Sequence, residues 1–211
     1  MIAEPQLLEL EKHLPTNLAT EILGILKKKN VQLTISKKRS TKLGDYRRPT
    51  PAVSYHRISV NGSLNKYSFL ITLVHELAHL EVFESYNSKV LPHGSEWKGT
   101  FGQMLKNLLA RDVFPDDISI VLAKYAENPK ASSVSDINLM LVLKKYDDGN
   151  QPILNDLPQE AVFQIGKKIF QKGPKRRTRF LCKELNTKRM YVISGLAEIK
   201  LLEAINNISV I

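Results

Sequence analysis

His75, Glu76 and His79 stand in the order HExxH within His75-Glu76-Leu77-Ala78-His79. On a helix, positions i and i+4 stack one turn apart on a single face, so two imidazole nitrogens can reach one metal ion. Glu76 then lies about 100° around the helix, beside the ion without ligating it. From there a carboxylate can take a proton from water whose pKa a bound zinc has lowered toward about 7. The chemistry implied is metal-assisted hydrolysis, with His75 and His79 as Zn2+ ligands and Glu76 as the catalytic base. A catalytic zinc needs a third protein ligand and leaves a fourth position for water. The single cysteine, Cys182, excludes a cysteine-built zinc knuckle, so that ligand must be His, Asp or Glu. Glu81 falls on the wrong face, and Glu84 and Glu96 are conceivable. His93 is the stronger candidate, because the helix must end near Ser85 and the loop can then fold back across the site. Gly94 gives that loop backbone freedom, Ser95 can cap the next helix, and Trp97 can anchor it through its apolar face.

These residues need a rigid helix, and the surrounding pattern predicts one. Asn65 is a good N-cap, with Leu64 and Phe69 placed as the hydrophobic staple at N′ and N4. From there to about Ser85 the chain is apolar on most sides, the mark of a central, buried helix. Before it, helices are predicted at 5–13 and 16–29, and alternating strands at Val31–Ile35 and His56–Val60 flank a basic, turn-rich connection. After it come helices at about 95–111 and 116–127. Asn128-Pro129-Lys130-Ala131-Ser132-Ser133 is the best linker candidate. The run at 135–146 fits helix or buried strand; helix capped by Ser135 is favoured. From Ala161 onward the texture is that of short strands, around 162–165, 168–171, 177–182, 189–193 and 198–201. Phe163, Ile165, Ile169, Phe180, Tyr191 and Ile193 are the candidate core of that part. The expected organisation is α+β: a front domain at 1–130 and a small, basic, β-rich domain at 131–211.

The chain of 211 residues is 43% hydrophobic and 25% charged, enough to bury a real core. No apolar run approaches the roughly 20 residues a membrane crossing needs, and Met1-Ile2-Ala3-Glu4-Pro5 lacks the order of a secretory signal. The expectation is a soluble, cytoplasmic protein with no membrane partner. Its net charge of +10 is unevenly placed. Residues 27–48 carry nine Lys/Arg against one acid, residues 166–190 carry ten against one, and residues 110–160 carry five against nine acids. Two basic blocks around an acidic middle suit an anionic partner, most simply nucleic acid, or else form a generic basic surface. The residues singled out for phosphate contact are Lys37, Lys38, Arg39, Lys175, Arg176, Arg177 and Arg179.

His75-Glu76-Leu77-Ala78-His79 followed by His93-Gly94-Ser95-Glu96-Trp97 resembles the SprT-like metallopeptidases, the group that includes the Spartan DNA–protein crosslink proteases. Lys42–Arg47, His56–Val60 and Leu64 are similar to the strand–turn–strand that leads into the metal helix of that family. The resemblance covers about residues 16–110 and implies a zincin-like domain in which His75, His79 and His93 bind zinc and Glu76 is the base. Trp97 stands where the family usually has Phe. Bacterial members often end in a zinc ribbon of CxxC pairs; here Cys182-Lys183-Glu184-Leu185 keeps the outline of one pair without its second cysteine, as in an eroded ribbon. The function implied is a zinc endopeptidase acting on DNA-associated or DNA-crosslinked proteins, at a cytoplasmic or nucleoid-associated location. The alternative is a nucleic-acid-binding protein whose zinc is structural or vestigial. Tyr46, Tyr55 and Tyr86 are equal candidates for stabilising the oxyanion, and the strand at 55–60 is expected to pair with an extended substrate if it edges the cleft.

Overall fold

A computed structural model describes residues 5–37, 42–131, 136–149 and 152–202. The chain divides into two compact units, Met1–Asp148 and Gly149–Ile211. Among the described residues the first holds six helices and a small sheet, and the second a sheet of short strands, so the α+β expectation is met.

The first unit opens with α1 (Pro5–His13) and α2 (Ala19–Lys28), which bury Leu10, Ile22, Leu23 and Leu26. Asn17, in the left-handed region at φ 69°, turns the chain between them, so α2 starts three residues later than its periodicity suggests. Strands β1 (Val31–Ser36), β2 (Gly44–Arg47) and β3 (His56–Asn61) form a sheet of order β1-β3-β2. β1 runs parallel to β3 with Val31 opposite His56, and β2 runs antiparallel to β3 with Tyr46 opposite Ile58. The strand that was to pair with substrate if it edged the cleft, β3, is therefore central, and β1 and β2 are the edges.

Helix α3 (Lys66–Tyr86) begins where the Asn65 side chain accepts a hydrogen bond from the Ser68 N–H at 2.9 Å. Phe69, Leu70, Ile71, Leu73, Val74, Leu77, Ala78, Leu80 and Val82 are all buried, so the helix is packed on nearly every side. Each such large side chain contributes roughly 1.5–3 kcal/mol by leaving water, which holds α3 rigidly enough to carry a site. Helices α4 (Ser95–Leu109) and α5 (Asp116–Glu127) complete the packing with Trp97, Phe101, Leu105, Ile118 and Leu122.

Helix α6 (Ile137–Lys144) buries Leu139, Val142 and Leu143 in this same core. The Asn65 amide donates to the Leu143 carbonyl and to Asp147, so one residue caps α3 and ties down the end of α6. The unit thus closes at Asp148, not at the linker candidate near residue 130, because the apolar face of α6 has its partners here. The cap of α6 is Asp136, whose carboxylate accepts from the Asn138 and Leu139 N–H groups; Ser135 lies outside the described residues.

In the second unit, β4 (Val162–Ile165), β5 (Lys168–Gln171), β6 (Lys175–Arg176), β7 (Arg179–Glu184), β8 (Met190–Ser194) and β9 (Lys200–Leu201) form one antiparallel sheet. Leu154, Phe163, Phe170, Phe180, Cys182 and Ile199 make its core, with Ile165, Tyr191 and Ile193 packed against them. Phe170 takes the place expected of Ile169, since register sets Phe163 opposite Phe170 and turns Ile169 to the other face.

Candidate metal centre

His75 and His79 lie one turn apart on α3, as the spacing requires. α3 ends at Asn87, whose backbone enters the left-handed region at φ 55°. The chain then returns through residues 88–92 and brings His93 back to the helix. The Nε2 atoms of His75, His79 and His93 are 3.3, 2.9 and 3.3 Å apart. A tetrahedral zinc with Zn–N bonds of about 2.05 Å sets its nitrogens about 3.3 Å from one another. Two edges of this triangle match that value and the third is slightly tight, so the three imidazoles fit one such ion.

Their electrostatic state fits as well. Burial pushes the His75 pKa down to about 3, with the neighbouring His79 and His93 adding to the effect. Burial also lowers His79, to about 4, with His93 reinforcing it, and burial alone lowers His93. All three rings are neutral near pH 7, the form in which an imidazole can ligate a cation.

The left-handed turn falls on His93 itself, at φ 58°. Gly94 is extended at φ −69° and serves as the N-cap of α4, while Ser95 bonds to Glu96. The freedom expected of Gly94 is thus exercised one residue earlier, by a side chain with a Cβ, at a cost of about 1–2 kcal/mol. Gly94 is small for another reason, since a Cβ there would sit 3.0 Å from the Leu91 carbonyl oxygen.

Trp97, 1% exposed, underlies the whole triad. Its ring centroid is 4.6 Å from that of His75, 5.4 Å from His79 and 4.6 Å from His93. Phe101 adds a contact to His75 at 5.3 Å. The indole N–H of Trp97 is buried without a hydrogen-bond acceptor among the described residues, which costs about 1–3 kcal/mol. The aromatic floor fixes the ring planes of the three imidazoles at that expense.

Glu76 is buried, 6% exposed, on the side of α3 that meets β2. A Cβ on Gly44 would lie 2.4 Å from Glu76 Oε1 and 2.8 Å from Thr72 Cγ2. β2 approaches the carboxylate this closely because residue 44 lacks a side chain. Gly44 is a site residue that motif reading passed over; its only signal was a glycine on a strand, the mark of close backbone approach.

Glu84 and Glu96 do not join the triad. Glu84 pairs with Lys29 at 2.6 Å, and Lys29 also holds Glu81 at 2.9 Å. Of the three tyrosines, Tyr46 lines the cleft beside His79 and His93, whereas Tyr86 is 45% exposed at the end of α3. The Tyr46 ring lies parallel to His79 with centroids 6.3 Å apart, and its hydroxyl is 2.9 Å from His56 Nδ1. Burial, reinforced by the charge on Glu84, raises the Tyr46 pKa and keeps the phenol protonated. Sequence could not rank these tyrosines, because the β2–β3 register alone turns Tyr46 toward α3.

The basic candidates are exposed where described. Lys37 follows β1, and Lys175, Arg176, Arg177 and Arg179 lie along the β6–β7 hairpin, turned at Arg177 with φ 55°. Lys38 and Arg39 lie outside the described residues. No described helix is long and apolar enough to cross a membrane.

Three neutral imidazoles converging on one point, on an α+β scaffold, make a group that could hold a metal ion. The sequence profile of the SprT-like family matches residues 10–115, half of the chain and all of this site. The chain belongs to the SprT-like family, and that membership points to a metallopeptidase type of function. No curated protein and no solved structure matches the chain.

Proposed function

We propose that this chain is a zinc-dependent endopeptidase with a zincin-like catalytic domain, and that it acts on proteins associated with or crosslinked to DNA. The observation that carries the reading is the triangle of Nε2 atoms, 2.9–3.3 Å on a side, with the buried Glu76 next to His75 on α3. His75, His79 and His93 would hold a divalent zinc, which would supply Lewis acidity for a peptide carbonyl and lower the pKa of a coordinated water. Three protein ligands, rather than the four of a closed structural site, support a catalytic role.

Glu76 takes the proton of the attacking water and delivers it to the departing amine nitrogen. Its burial against Gly44 holds the carboxylate in one place through both transfers. Tyr46, kept protonated, has a hydroxyl that can donate to a developing oxyanion once released from His56. The edge strand β2 can pair with an extended substrate through its backbone groups, which gives binding tolerant of sequence. The basic hairpin of β6 and β7, and Lys37, supply cations for phosphates and would confine cleavage to proteins held on DNA.

Elemental analysis should find about one zinc per chain, lost in His79→Ala. Glu76→Gln should keep the zinc and abolish cleavage of an unfolded protein. DNA should accelerate cleavage in a way that fades with salt. Salt-dependent DNA binding by the wild type with no cleavage of any protein would establish the binding-module alternative instead.

A further inference from the structure

Beside the metal centre lies a pocket of about 360 Å³ whose wall includes His79 and His93. Val82 and Phe83, one turn beyond His79 on α3, and Val90 and Leu91, from the returning loop, line it. Leu91 is 78% exposed, an apolar side chain left in water next to polar ligands. Arg48, just past the end of β2, also lines the pocket. Its guanidinium sits 5.9 Å from the Phe83 ring centroid and donates to Ser88 Oγ. The pocket lining contains no carboxylate. Glu81 and Glu84, which flank Val82 and Phe83 on α3, are paired with Lys29. The arginine therefore gives the pocket a positive charge that no lining residue balances.

We propose that this pocket is a peptide side-chain subsite that takes a bulky apolar residue, such as leucine, methionine or phenylalanine, and that Arg48 selects a carboxylate on an adjacent residue. This rests on the peptidase reading. The size supports it, since 360 Å³ is at the small end of ligand sites, right for side chains and too small for most cofactors. The chemistry supports it because an apolar cavity continuous with metal ligands recovers hydrophobic free energy only from an apolar occupant. The charge supports it because a guanidinium held by Ser88 and Phe83 is pre-positioned for a carboxylate. The subsite would lay mild selectivity over the sequence-tolerant backbone pairing at β2.

The test uses the zinc-loaded full chain and peptides that differ at single positions. Cleavage by the wild type and binding by Glu76→Gln, read by fluorescence anisotropy, are measured on the same set. Replacing alanine by leucine or phenylalanine at one position should improve both about 10- to 100-fold. An adjacent glutamate should add a few-fold over glutamine, as expected for a partly exposed pair. Arg48→Glu should turn that preference toward lysine, and Leu91→Glu should weaken the apolar preference. Both positions are exposed, so both variants should fold. Cleavage without either preference overturns the subsite and leaves the peptidase reading intact. Selective binding without cleavage by the wild type supports the subsite and overturns the peptidase reading. If Arg48→Glu weakens duplex DNA binding and leaves peptide preference unchanged, Arg48 serves phosphates and the proposal fails.

Discussion

Replacing Gly44 by alanine adds one methyl group to an edge strand and aims it at the Glu76 carboxylate, the proposed base. That Cβ would stand 2.4 Å from Glu76 Oε1, 2.9 Å from Glu76 Cγ and 2.8 Å from Thr72 Cγ2. Carbon and oxygen tolerate each other from about 3.4 Å, so the carboxylate must retreat by about 1 Å. Thr72 cannot relieve the contact by moving alone, because its hydroxyl is bonded to the Ser68 carbonyl at 2.8 Å. Residue 44 does not have a positive φ, so alanine adds no backbone strain. On the proposed role of Glu76 as base, a displacement of about 1 Å should cost on the order of 100-fold in rate, or about 2.7 kcal/mol of barrier. Overpacking should also lower stability by about 1–3 kcal/mol. No imidazole is touched, so zinc content should stay near one per chain. The assay is turnover of an unfolded protein by a variant shown by elemental analysis to be loaded and by thermal denaturation to be folded. A loaded, folded Gly44→Ala enzyme within about three-fold of wild type would refute the placement of Glu76 as base.

The other predictions concern the three imidazoles proposed as ligands and their aromatic floor. His93→Asn should lower zinc affinity by orders of magnitude yet leave the metal-free protein within about 1 kcal/mol, since Asn accepts the left-handed backbone at this position; competition with a chelator and thermal denaturation read the two effects. Trp97 is the only tryptophan and touches all three imidazoles, so cobalt(II) or copper(II) should quench its fluorescence with one equivalent, and unchanged emission on titration would contradict the geometry. The folded pKa values of His75, about 3, and His79, about 4, lie below the unfolded value of 6.5, so the unfolded chain binds more protons on acidification. Metal-free stability should accordingly be full above about pH 6.5 and fall as pH drops from there toward 4. His79→Gln should flatten that slope, which thermal denaturation across the range will check.

Much of the site was legible in the sequence because it is local. Two imidazoles at i and i+4 meet on any regular helix, and Asn65 with Ser68 three residues on starts that helix by a bond within one turn. The apolar pattern of residues 69–82 predicted a buried helix, and burial of those residues follows. Strand alternation at Val31–Ile35 and at residues 56–60 likewise needs only a period of two. Such signals are carried by neighbours along the chain, so no knowledge of the fold is needed to read them.

What the tertiary structure alone decided is which distant elements meet. Alternation marks β3 as half-buried but does not say that β1 and β2 take its two sides, so the condition that it edge the cleft is not met. The same pairing carries Gly44 onto Glu76 and Tyr46 onto His79. The run at residues 137–144 joins the first unit because its apolar face finds Leu139, Val142 and Leu143 a place in that core. His93 could be nominated from spacing, but its left-handed backbone and its 2.9 Å approach to His79 depend on how α4 docks through Trp97. Backbone periodicity is encoded in consecutive residues, whereas sheet order and loop closure are settled by the packing of surfaces far apart in the chain.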